Sequence, residues 1–242
     1  ELAAEYYDEI LFDGATYADL LTKQGPVAIA NGTDISTGSR FSFYQSDFAL
    51  LCSDLTKVRL SRAAATSSAV PVVLSPVTFN NYGGTCNYEY PAWVADVAKS
   101  EGRVRPSARV LKRYHEMRDF QNSKDRPYIH LVDGGVSDNI GVRGVLEALE
   151  ELSASAAFRN QIGFGGYRRI VLMVVNSRSS PKTDWDRHET PPGFVVQLLQ
   201  ASGVPIDRYS FETVETMKDR AEIQKWRREL LVAQARLAGA SK

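Results

Sequence analysis

The sequence predicts an α/β domain with a mainly parallel central sheet and helices on both faces. Short apolar runs, at residues 128–132 and 168–176, stand apart from segments whose apolar residues recur at helical spacing. The second contains an unbroken apolar stretch, residues 170–175, the pattern of a strand lying deep in a sheet. Between them, residues 142–152 set Val142, Val145, Leu146 and Leu149 on one helical face. A chain of 242 residues with 43% hydrophobic and 10% aromatic content has the composition of a globular protein and can bury one sizeable core. The prediction is therefore a single domain over residues 1–242, with 191–238 as outer helices.

The balance of charge narrows the function classes. Basic and acidic residues number 29 each, so the chain lacks the basic footprint of a nucleic-acid binder. The longest apolar run, residues 170–175, falls far short of the roughly 20 residues that cross a bilayer. The sequence opens at Glu1, without a methionine and on a helical pattern, which reads as a fragment whose start was removed. Neither Cys52 nor Cys86 has a second Cys or His at metal-ligand spacing. They are read either as two buried thiols or as a disulfide, and a disulfide needs an oxidising compartment.

Along the chain, residues 2–12 and 17–22 read as short helices parted by Asp13-Gly14, with Thr16 placed to cap the second and Gly25 to end it. Residues 27–30 and 40–44 read as a hairpin-like pair of strands joined by a polar loop, in which the Asp34 carboxylate is expected to satisfy loop amides. Residues 56–69 form a helical pattern rich in Ala and Ser, suited to close packing before Pro71 stops it. Ser67 and Ser68 are read there as packing or capping residues. A strand at 72–79 leads to a Tyr-, Asn- and Gly-rich loop at 80–91, long enough to cover a cleft. Residues 93–99 and 108–120 follow as helices. The tail 191–238 is helical, with a break near Gly203-Val204-Pro205. Its last helix is heavily charged, with apolar positions at Ile223, Trp226, Leu230 and Val232, and is read as an outer helix ahead of a membrane-surface or partner contact.

The stretch His130-Leu131-Val132-Asp133-Gly134-Gly135-Val136-Ser137-Asp138-Asn139-Ile140-Gly141-Val142-Arg143 carries the functional reading. An apolar strand delivers Asp133 into a turn where Gly134 and Gly135 permit positive φ or close approach of another backbone. Asp-Gly-Gly alone is an ordinary turn. Its company is more specific. Residues 60–71, Leu-Ser-Arg-Ala-Ala-Ala-Thr-Ser-Ser-Ala-Val-Pro, and residues 30–43, Ala-Asn-Gly-Thr-Asp-Ile-Ser-Thr-Gly-Ser-Arg-Phe-Ser-Phe, precede it. In this order the three segments resemble the later part of a bacterial patatin-like phospholipase domain, over about residues 26–177.

That resemblance implies a patatin-like fold and a serine–aspartate dyad, in which a serine within Gly-x-Ser-x-Gly attacks an ester and the aspartate of the Asp-Gly-Gly motif takes its proton. Asp133 would be the proton acceptor, and Gly134 and Gly135 the adjoining turn. The substrate would be a lipid or ester, no cofactor or metal would take part, and peripheral membrane contact or the bacterial cell envelope would be the setting. The sequence contains no Gly-x-Ser-x-Gly; the nearest approach, Gly135-Val136-Ser137-Asp138-Asn139, is the Asp motif itself. The nucleophile is accordingly expected upstream of Glu1. The alternative is a regulatory or scaffolding module that kept the fold without catalysis. His130 is expected on the opposite face of its strand from Asp133, and His115 and His188 on the surface. A phosphate- or nucleotide-binding turn at Gly134 and Gly135 is set aside, since no lysine and no Gly-x-x-x-x-Gly-Lys accompany it.

Overall fold

The computed structural model describes residues 1–22, 25–95, 108–154, 159–160, 163, 170–175 and 185–240. The chain forms two compact units, Glu1–Thr183 and Asp184–Lys242. In the first, helix α1 (Leu2–Tyr7) continues as a wider π-helical turn over Asp8–Phe12, and α2 (Tyr17–Leu21) starts at a capping box between Thr16 and Asp19. Strands β1 (Asn31–Asp34) and β2 (Arg40–Ser42) form a hairpin, but the first strand lies wholly beyond the residues 27–30 expected for it, which belong to no strand. Helices α3 (Gln45–Leu50) and α4 (Leu60–Ser67) lead to β3 (Val77–Asn80), which is half the length expected. Then come α5 (Ala108–Phe120), β4 (Tyr128–Asp133), the single turn α6 (Gly135–Asp138) and α7 (Val142–Ala154). The expected helix at 93–99 lies partly outside the described residues.

The sheet overturns the predicted fold class. Its four strands lie in the order β2-β1-β4-β3, and every neighbouring pair is antiparallel. It is neither the mainly parallel central sheet expected nor the architecture implied by the patatin-like resemblance. The error has a physical origin: an unbroken apolar run reports burial on both faces of a strand, and says nothing about the direction of its neighbours. β4 buries Ile129, Leu131 and Val132 while Tyr128 and His130 are exposed, and it lies between two antiparallel partners. The other apolar run, at residues 170–175, joins no strand; Val171, Met173 and Val175 are exposed.

The core is aromatic. Phe41 meets Phe48 and Phe120 edge-on at 5.3 and 5.4 Å between ring centroids, and Phe79 meets Phe43 and Phe48 at 5.8 Å. Such edge contacts add about 0.5–1.5 kcal/mol each to the area they bury. The small residues of α4 do what their size allows. Ala63, Ala65 and Thr66 are buried, and a Cβ on Gly32 of β1 would stand 2.7 Å from the Thr66 methyl. Cys52 and Cys86 are joined in a disulfide with Cα atoms 5.6 Å apart, which ties the 80–91 loop to the end of α3. In the second unit a 3-10 turn, Trp185–Arg187, precedes the long helix α8 (Phe194–Ala240). The expected break is absent: α8 runs through Pro205, which has no N–H to give to the preceding turn.

Candidate active site

β4 ends at Asp133, and β1 and the segment after α4 fix its backbone. The residue pairs with Gly32 of β1, its N–H donates to the Ala69 carbonyl at 2.9 Å, and its carbonyl accepts from Thr33 Oγ1 at 2.8 Å. The next turn is locked to the same threonine. Thr33 Oγ1 lies 2.8 Å from Ser137 Oγ and accepts from the Ser137 N–H at 3.1 Å. Thr33 is buried, so this knot at the start of the turn is shielded from water.

Gly134 and Gly135 take part in a way the sequence only half disclosed. Neither has positive φ; Gly134 is right-handed helical at φ −61°, and the left-handed residue of the stretch is Gly141 at φ +69°. What demands glycine is proximity. A Cβ on Gly134 would stand 2.4 Å from the Asn31 carbonyl oxygen, and one on Gly135 would stand 3.0 Å from Asp133 Oδ1. The missing side chains let the turn fold back over the end of β1 and bring the Gly135 N–H to Asp133 Oδ1 at 2.7 Å.

The Asp133 side chain is half-buried, and that is its only hydrogen bond among the described residues. Burial pushes its carboxyl above the ordinary range, and the Gly135 amide offsets this only in part. Oδ2 is thus left as an acceptor of raised basicity at the end of a rigid strand. His130 is on the other face of β4, as alternation requires, and bonds Thr78 Oγ1 through Nδ1 at 2.9 Å. Ser68 is no partner either: its hydroxyl donates to the Ala64 carbonyl at 3.0 Å and lies 3.2 Å from the Tyr7 hydroxyl. Ser137 is committed to the Thr33 contact.

Asp138 is the neighbour of the site that sequence reasoning missed. It is buried, and its two oxygens accept from the Arg143 and Gly144 amides at 3.1 and 2.9 Å, satisfying the open N-terminus of α7. A carboxylate shortly ahead of a helical apolar pattern was the available signal. Arg40 donates to Glu147 at 2.5 Å and to the Ser42 hydroxyl, and a Cβ at Gly144 would stand 3.1 Å from its guanidinium carbon. Among the described residues no three His, Cys, Asp or Glu side chains gather to hold a metal, and no helix is long and apolar enough to cross a membrane. The chain matches no family model, no curated protein and no solved structure.

Proposed function

We propose that Asp133 is the proton acceptor of a lipid acyl hydrolase, a phospholipase or esterase working by a serine–aspartate dyad. One observation carries the reading: a carboxylate of raised pKa, anchored through Oδ1 and open at Oδ2, at the end of an interior strand. A base of this kind serves best near neutral pH, where it is ionised yet more basic than a solvated carboxylate. The three patatin-like segments support the choice of reaction, and β1, α4 and β4 bring all three together around Asp133. No Gly-x-Ser-x-Gly occurs in the sequence, so the reading takes the nucleophilic serine from outside these 242 residues. The Cys52–Cys86 bridge supports an oxidising setting, such as the bacterial cell envelope.

Steady-state hydrolysis of a short-chain ester by the protein that carries this chain tests the reading. Asp133→Asn keeps the shape of the side chain but cannot accept a proton, so kcat falls by about 10² to 10⁴-fold. KM changes little, because the carboxylate acts on the serine rather than on the lipid. In the unsubstituted protein the acid limb of kcat/KM lies above the ordinary carboxylate range, following the raised pKa. A kcat near normal for the variant would make Asp133 a turn residue, and a protein without esterase activity would favour the non-catalytic module. Serine-dependent turnover by the 242 residues alone would place the nucleophile within them.

A further inference from the structure

We propose that the C-terminal half of α8 docks on an anionic lipid surface. Six large apolar side chains there, Ile223, Trp226, Leu230, Leu231, Val232 and Leu237, are exposed by between 44% and 72%. At 100° per residue all of these but Val232, together with Ala233, fall within a sector of roughly 160°, interrupted only by Gln234 and Arg227. The remaining face carries Lys225, Arg228 and Arg236 against the single acid Glu229, with Val232 among them, and residues 223–237 hold four basic side chains to one acid in a protein whose total charge is zero. A broad apolar face with Trp at its edge, opposed by a basic face, is the design of a helix lying in the plane of a bilayer interface. Arg227, within the apolar sector, has a stem long enough to lie along it while its guanidinium reaches the headgroups.

The same residues fit a second copy of the chain less well. A coiled-coil seam is narrow and fills alternate positions with residues of matched size. Here the positions three and ten residues beyond Ile223 hold Trp226 and Ala233, which differ greatly in volume, while Leu231 projects well outside such a seam. Lipid tails adapt to uneven side chains; a facing helix does not.

The inference is independent of the reading of Asp133, because binding is measured without turnover. The 242-residue chain is sedimented with vesicles of phosphatidylcholine, with and without phosphatidylglycerol, while the emission of Trp226 is followed against a Trp226→Phe control. The expected result is partition into the anionic vesicles, weakened by salt, with a blue shift that the control lacks. Leu230→Glu lowers the partition coefficient at least tenfold, and Arg228→Gln lowers it about fivefold. Both sites are exposed, so circular dichroism in solution stays unchanged. Equal partition into neutral vesicles, or none into either, overturns the proposal. Self-association that Leu230→Glu abolishes, without vesicle binding, overturns it in favour of a second copy.

Discussion

Asp133 and Asp138 stand at the two ends of one turn, and the protein treats them in opposite ways. Asp138 is buried with both oxygens filled by the Arg143 and Gly144 amides. Asp133 is half-buried with one oxygen filled and its pKa raised. Elsewhere in the same unit the buried carboxylates follow Asp138. Asp34 accepts from the Ser36 amide and the Thr37 hydroxyl, as its loop sequence foretold, and pairs with Arg126. Asp47 accepts from the Ser42 amide at 2.8 Å and pairs with Arg113. A buried carboxylate whose two oxygens both meet protein partners stabilises the fold. Asp133 is desolvated without full compensation, which lowers stability and is tolerated where a group has another task.

Removing the saturated carboxylates sharpens this contrast. The largest loss is expected from Asp47→Ala, which removes the Asp47 ion pair of Arg113, a side chain only 11% exposed, and deprives the Ser42 N–H of its acceptor. Breaking a buried pair costs about 3–5 kcal/mol. The lower end applies, because Glu116 Oε2 stands 3.7 Å from Arg113 Nη1 and retains part of the attraction. The urea midpoint, at unchanged slope, measures it. Asp138→Ala comes next, at about 1 kcal/mol, the usual cost of a lost helix cap. Faster hydrogen exchange confined to the Arg143 and Gly144 amides would locate the loss at the start of α7. Exchange rates unchanged there would mean that Asp138 does not cap, and the contrast with Asp133 would fail.

The local parts of this picture were legible in sequence, and the long-range parts were not. β4 is found within one residue of its predicted end, α5 at its predicted bounds, and the Thr16 cap where it was placed, because each depends on periodicity or on neighbours a few residues away. The strand directions were lost, since Thr33 and Asp133 meet across a hundred positions of chain and nothing in either segment states its orientation. The same distance hid why Gly134 must be glycine: the obstacle is the Asn31 carbonyl, on another strand. Asp133 was singled out by the company it keeps, its raised pKa follows from burial, and Asp138 was overlooked because its partners lie in the next element.

The smallest effect is the most discriminating, because its sign is reversed. In the folded chain burial raises the pKa of Asp133, so the native state holds this proton more tightly than the unfolded chain does. The stability this contributes is fully present below the unfolded carboxylate pKa of about 3.9. It is lost as pH rises through the higher folded value, and near neutrality the ionised carboxylate weighs against the fold. Asn at this position carries no charge, and its amide oxygen still accepts from the Gly135 N–H. Asp133→Asn is therefore expected to be at least as stable as the native chain at about pH 7, with a gain small beside the loss from Asp138→Ala. The gain should vanish at about pH 3, where Asp133 is itself protonated. Urea unfolding at the two pH values measures the difference. If Asp133→Asn destabilised the fold near neutrality as much as Asp138→Ala does, the carboxylate would be a second structural acceptor, and the case for a base at the end of β4 would go with it.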